Sequence, residues 1–526
     1  MTHIATTNSG RLEGHEADGV IRFLGIRYGA PTGGANRFLP PQPVTPWTGV
    51  RAADTLGQIA PQFSSPRRPS SSEPSEDCLA LNVWTAGLNG SRPVIVWIHG
   101  GGFATGSGYS PQTDGAALAQ REDVVVVSIN HRLSLPGFLY LGELGGEDWG
   151  HEANPGLLDL VAALRWVQEN IHAFGGDPSR VLIKGHSGGG GKVGSLLSSP
   201  PARGLFSRAA LHGGPPFGLK DRGRATVTAQ RVLEVLGLRS ADRQRLQELP
   251  LERIMDAQSQ LGVGSEPTEH GMRFAPVIGT ASLPTMPQDA FGAGVNADVP
   301  LLTGTSVDEM RYVYNARPHW LDPAFDLDEA TLERLVAAGV DNAADAGLLL
   351  DRYRADYDAG RNVDLLTDIL SDQFLERTAR LADAKARSGQ APVFSYLCTL
   401  NHSQPNGTFH GVQMPLFFGN VGAGPAGLTG PAYDAASDVL RRMLAAFAAT
   451  GDPNDAGVAG IEWPAYDPAQ PSQLVFGDDG FDVTDAWLAE RRPRWAGITA
   501  TAFTDPWGRA FEAASRTQAP EEVTVA

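Results

Sequence analysis

Gly185-His186-Ser187-Gly188-Gly189 sets a serine among glycines at the spacing of a nucleophile carried on a tight turn. The chain holds 62 glycines, so the pattern alone carries little weight, and its surroundings carry more. The apolar run Val181-Leu182-Ile183 precedes it, and a segment of helical pattern ending Val193-Gly194-Ser195-Leu196-Leu197 follows. Strand, sharp turn and helix is the order that lifts a serine oxygen clear of a sheet. Glycines at 188, 189, 190 and 191 each cost a helix start up to about 1 kcal/mol relative to alanine. That cost fits a backbone that must approach something closely; a flexible loop of small residues is the plain alternative.

A second glycine run, His99-Gly100-Gly101-Gly102-Phe103, comes directly after the apolar run Val94 to Ile98. Consecutive glycines can turn several backbone N–H groups into one small space, which suits the negative oxygen formed in acyl transfer. No Lys-Ser or Lys-Thr pair closes the run, so a phosphate loop fits less well. For a serine on such a turn, the acid and base follow in the order Asp or Glu, then His. Leu301-Leu302-Thr303 leads into Gly304-Thr305-Ser306-Val307-Asp308-Glu309, two carboxylates past the carboxyl end of a strand, where open α/β sheets place their sites. Phe409-His410-Gly411 lies about a dozen residues beyond the run Val393 to Leu397. His402 is a rival, and spacing does not choose between the two histidines.

Strands covered on both faces must position these groups. Val94-Ile95-Val96-Trp97-Ile98, Val124 to Val127, Val181 to Ile183 and Leu301-Leu302 lack the polar alternation of a half-wet sheet. Between them, Leu157, Leu160, Val161, Leu164, Val167 and Ile171 fall on one helical stripe, with Asn154-Pro155-Gly156 as its start. The alternation predicts an α/β fold, a mostly parallel sheet with helices on both faces. No repeat or linker divides the chain, so residues 1–515 read as one domain. The helical segments at about 220–298 and 318–361 read as cap-like insertions, 64–75 as an exposed Ser/Pro/Arg loop, and 516–526 as a polar tail.

The formal charge of −17 over 526 residues works against nucleic-acid or anionic-membrane partners. No run of eighteen apolar residues spans a membrane, and the N-terminal residues lack the features of a secretory signal. Cys78 and Cys398 read as two buried thiols rather than a disulfide framework. The expected location is cytoplasmic; oligomeric state is not legible.

Beyond the site, the chain resembles the type-B carboxylesterases, which include cholinesterases and bacterial para-nitrobenzyl esterases. The resemblance runs through Phe23-Leu24-Gly25-Ile26-Arg27-Tyr28, Arg37-Phe38-Leu39-Pro40-Pro41 and the specific Glu76-Asp77-Cys78-Leu79-Ala80-Leu81-Asn82-Val83-Trp84. It continues through the His99 run, Asn130-His131-Arg132-Leu133, Phe174 to Pro178, Gly451-Asp452-Pro453-Asn454 and Trp463-Pro464-Ala465-Tyr466. It implies an α/β-hydrolase fold with a Ser187, Glu309, His410 triad, and Gly101, Gly102 and Gly188 as oxyanion donors. The implied reaction is hydrolysis of a small-molecule ester with no metal or cofactor. A carbamate, amide or lactone is the alternative bond, and a non-catalytic binding relative the rival class.

Departures from the family pattern are specific. Ala60, before Pro61-Gln62, stands where relatives outside the cell carry the cysteine that pairs with the one in Glu-Asp-Cys. His186 replaces a frequent glutamate, which removes attraction for a cationic ester, and His212-Gly213-Gly214 replaces a frequent Ser-Gly. Phe103, His186, Phe217, Met272, Phe274 and Phe417 are the expected substrate-lining residues, suited to a partly apolar ester.

Overall fold

A computed structural model describes residues 3–62, 73–144, 154–214, 219–261, 274–316, 318–340, 342–356, 360–401, 407–423 and 428–498. Most of the expected loop 64–75 and the tail 516–526 lie outside them.

Thirteen strands among these residues form one sheet. They are β1 (His3–Thr7), β2 (Gly10–Ala17), β3 (Val20–Arg27), β4 (Val50–Ala52), β5 (Ala80–Thr85), β6 (Arg92–Ile98) and β7 (Val125–Ile129). Then follow β8 (Gly176–His186), β9 (Arg208–His212), β10 (Leu301–Ser306), β11 (Val393–Cys398), β12 (Gln473–Gly477) and β13 (Gly480–Thr484). The order is β1-β2-β3-β5-β7-β6-β8-β9-β10-β11-β12-β13, with β4 beside β2. From β7 through β12 every pairing is parallel, and both flanks are antiparallel apart from the parallel pairing of β4 with β2.

The apolar runs behave as their composition requires. Val94–Ile98 and all of β7, β10 and β11 are buried, because helices cover both faces. On one face the helix Pro155–Asn170 lays its Leu157, Leu160, Val161, Leu164 and Val167 stripe into the larger core. Pro155 opens it at a position where its missing N–H costs nothing. On the other face the helix Pro431–Thr450 packs through Leu440, Leu444 and Phe447. The connections from β9 to β10 and from β10 to β11 carry helices, including Arg222–Leu236, Leu251–Gln260, Glu329–Gly339 and Ala343–Asp356.

Several sequence signatures prove to be locks between distant segments. Arg37 grips Glu76 with two 2.7 Å bonds. Asn454 closes a pair of bonds with the backbone of Trp463, whose indole donates to the Ser395 carbonyl on β11. Arg132 and Asp159 are both fully buried and joined by bonds of 2.6 and 2.8 Å, while Asp159 also takes the Arg132 N–H. That pair fixes the segment after β7, where Ser134 N–H holds the Phe103 carbonyl of the glycine loop at 2.7 Å.

The second core also encloses a lysine. Lys184 Nζ on β8 lies 4.9, 5.1 and 4.4 Å from the ring centres of Trp97, Phe417 and Phe418, and 3.8 Å from Met414 Sδ. Burial drives its pKa well below the ordinary 10.5.

Two outcomes follow. Asp159→Ala strands a buried guanidinium and lowers stability by about 3–5 kcal/mol in denaturant unfolding. Lys184→Met removes a poorly solvated amine and raises stability at pH 7 by about 1–3 kcal/mol. Between its lowered folded value and 10.5, the unfolded chain holds a proton on Lys184 that the native state lacks, so parental stability rises with pH in that window. The variant loses that part of the rise in urea titrations run at several pH values.

Candidate active site

Parallel strands bring their carboxyl ends to one edge, and the singled-out residues collect there. The glycine loop leaves β6, Ser187 leaves β8, Glu309 follows β10, and His410 follows β11. The chain runs from β6 to β7 on one side and to β8 on the other, the kind of switch point at which a crevice opens.

Ser187 sits between β8 and the helix Gly188–Leu197 at φ 58°, ψ −127°. L-residues avoid that region at a cost of order 1–3 kcal/mol. Hydrogen bonds hold the turn in place: Ser187 N–H donates to the His212 carbonyl at 2.9 Å, and Gly191 N–H to the Ser187 carbonyl at 3.0 Å. The surrounding glycines allow backbones to touch. A Cβ on Gly188 would stand 2.0 Å from the Gly102 oxygen, one on Gly189 2.1 Å from the Ile98 oxygen, and one on Gly214 2.2 Å from the Ser187 oxygen. The close approach inferred from the glycine run is therefore with the His99 loop and with the segment after β9. The His212 carbonyl and the bare Gly214 backbone together seat the serine turn.

In the His99 loop, neighbouring donors take up the carbonyls. Lys192 Nζ holds the His99 oxygen at 3.0 Å, and His99 Nδ1 lies 2.8 Å from the Gly100 oxygen. The Gly101 oxygen takes the N–H groups of Ala104 and Thr105. Gly101 and Gly102 have φ of 90° and 64°, conformations that favour glycine. Among the described residues, no protein group accepts the N–H of Gly101, Gly102 or Gly188. His99 stacks on His131 with ring centres 4.9 Å apart. Burial, with Lys192 nearby, pushes both imidazoles well below their ordinary pKa.

The two carboxylates that spacing left equal do different things. Asp308 Oδ2 accepts the Thr408 N–H at 2.9 Å, while Asp308 N–H donates to the Thr408 carbonyl at 3.2 Å, so Asp308 latches the His410 segment. Glu309 is fully buried and pairs through Oε2 with His410 Nδ1. Its Oε1 accepts from Thr305 Oγ1 at 2.5 Å and from Ser306 N–H at 2.7 Å. Thr305 and Ser306 were not singled out in the sequence, because short polar residues at a strand end carry no distinctive signal. His402 lies outside the described residues.

The His410 imidazole is flanked by the rings of His186 at 4.3 Å and of Tyr312 and Phe374 at 5.6 Å each. His186 fits there because Gly213 and Gly411 leave its ring room; a Cβ on either would stand 3.0 Å from it. Below, buried His212 meets the Tyr396 hydroxyl at 2.8 Å. Tyr396 also accepts from Gln413 Nε2, and Gln413 Oε1 accepts from Ser306 Oγ, so a buried polar chain reaches the residue that holds Glu309.

The expected substrate-lining residues divide. Phe103 meets Phe138 edge-on at 5.5 Å, and Phe138 and Phe274 line one small cavity with Tyr140 and Val277. Phe417 packs instead into the second core against His212 and Tyr396. Phe217 and Met272 lie outside the described residues.

Residues 1–491 match the model of the carboxylesterase family. The chain is 34% identical over 508 residues to a para-nitrobenzyl esterase of Bacillus subtilis, covering 94% of this chain and 99% of that protein. It is also 34% identical to a phenmedipham hydrolase of Pseudarthrobacter oxydans, covering 91% and 96%. The crystal structure of a Geobacillus stearothermophilus carboxylesterase superposes with a TM-score of 0.83 at 35% identity, covering 94% of this chain and all of that one. The chain thus belongs to the carboxylesterase family and is a serine hydrolase of carboxylic esters on an α/β-hydrolase fold.

Proposed function

We propose that Ser187, His410 and Glu309 form the catalytic triad, with the N–H groups of Gly101, Gly102 and Gly188 as oxyanion donors. The observation that carries this reading is the Glu309–His410 pair, made through Nδ1, beside the residue that precedes the strained serine. That pairing reserves the other ring nitrogen for proton transfer. The imidazole takes the Ser187 proton as the oxygen attacks the acyl carbon, and the carboxylate stabilises the imidazolium that results. The three amides meet the oxyanion, the alcohol leaves with the proton from His410, and a water activated by the same ring frees the acid from the acyl-enzyme. Thr305 and Ser306 keep the Glu309 carboxylate turned toward the ring.

The substrate class is a small to medium, partly apolar carboxylic ester. Phe103 packs on Phe138, which lines a small cavity with Phe274, an apolar wall next to the glycine loop, and His186 in place of a carboxylate brings no negative charge to attract a cation. The segments 220–298 and 318–361 would cap the crevice, because each leaves the carboxyl end of a strand that bears the site.

Ser187→Ala lowers kcat for a short aryl ester by about 10⁴–10⁶-fold with an unchanged circular dichroism spectrum; near-parental turnover overturns the assignment. Glu309→Gln keeps the shape but loses the charge behind the imidazolium. Steady-state kinetics then give kcat about 10³–10⁴-fold lower, with KM changed much less.

A further inference from the structure

The oxyanion donors proposed above come from two separate pieces of chain. Gly101 and Gly102 belong to the loop after β6, and Gly188 opens the helix after β8. Their relative position sets the geometry of the hole, and displacements of about 1 Å in such sites cost orders of magnitude in rate. The bare contact of Gly188 with Gly102 stops the two pieces from moving closer but does nothing to stop them sliding apart. A directional bond is needed for that.

Lys192 supplies one. It lies five residues after Ser187 on the same helix, is 1% exposed, and its Nζ donates to the His99 carbonyl at 3.0 Å. We propose that Lys192 is a positioning residue of the ester hydrolase, stapling the glycine loop to the serine-bearing helix so that the three amides converge on one oxygen.

The proposal rests on the oxyanion reading and accounts for a placement that stability disfavours. Among the described residues no carboxylate pairs with Lys192, and burial alone draws its pKa down to about 7. The Phe103 ring lies 5.8 Å from Nζ, and the His99 and His131 imidazoles, which Lys192 helps keep neutral, are close enough to feel it. An apolar residue would fill the same interior more cheaply. Neutral or charged, the amine keeps N–H donors, so the staple persists through its titration. The bond also continues along the loop. His99 lies with Nδ1 against the Gly100 oxygen, and as this ring is neutral and faces an acceptor, Nδ1 carries the proton. The Gly100 carbonyl belongs to the same peptide group as the Gly101 N–H, so the staple and the first donor sit on consecutive peptide planes.

The test compares Lys192→Met, which keeps bulk and removes the donor, with Lys192→Gln, which keeps an N–H donor. A fluorophosphonate probe, followed by mass spectrometry of the Ser187 peptide, counts competent sites; absence of labelling in the parent overturns the oxyanion and triad reading itself. Per labelled site, Lys192→Met shows kcat about 10–100-fold lower with KM within about twofold. The Kd of an aryl trifluoromethyl ketone, which forms a tetrahedral adduct, rises by the same factor, and Lys192→Gln recovers part of both. Labelled Ser187 with parental kcat and ketone affinity in Lys192→Met overturns the staple alone, whatever the change in Tm. Should both variants fail to fold, the parent is read directly. The chain has four lysines (184, 192, 220 and 385), and in ¹⁵N-lysine-labelled protein the Lys192 Nζ resonance shifts on adduct formation; an unmoved resonance overturns the proposal.

Discussion

Two backbones meet without side chains between them, and the site is built around that contact. The loop after β6 and the helix after β8 come so close at Gly102 and Gly188 that a methyl group on Gly188 would overlap a carbonyl oxygen. Parallel pairing of β6 with β8 delivers both segments to the same edge, register by register from Val94 opposite Val181 to Ile98 opposite Gly185. The strained serine and, among the described residues, the amides of Gly101, Gly102 and Gly188 left without protein partners lie at this approach. Helix propensity is sacrificed for it, since four successive glycines open the helix.

Around that contact the molecule invests in buried polar connections. Asp308 latches the histidine segment, Glu309 is steadied by Thr305 and Ser306, and the Tyr396–Gln413 pair ties His212 to the same strand end. Farther out, Arg132–Asp159, Arg37–Glu76 and Asn454–Trp463 join segments distant in sequence. These residues formed much of the family resemblance, and their role is to fix the frame rather than to take part in the chemistry.

Much of this was legible in the residues. Uninterrupted Val/Ile/Leu runs identified the central strands because only doubly covered strands can be apolar on both sides, and the stripe from Leu157 onward identified its helix. The serine turn and glycine loop were visible because glycine repeats near a helix start are otherwise unfavourable. The choice of Glu309 over Asp308 was not legible from spacing; adjacent side chains diverge in the three-dimensional turn, one toward Thr408 and the other toward the imidazole. Nor were Lys184 and Lys192, since a lysine beside apolar residues ordinarily reads as solvent-facing. Five of the six expected substrate residues were legible only as apolar types and His186 only as a departure from the family pattern, while the packing of Phe417 against His212 depends on how distant segments stack.

The two cysteines have a use that their burial creates. Cys78 belongs to the larger core and Cys398 to the other, neither has any solvent exposure, and neither is bridged. Burial also raises both thiols' pKa, so little thiolate is available while the fold is closed. A thiol-reactive dye therefore stays dark on the intact molecule. Once either side of the sheet opens, the dye marks a different peptide for each side, so the chain carries a built-in pair of opening sensors, one per face.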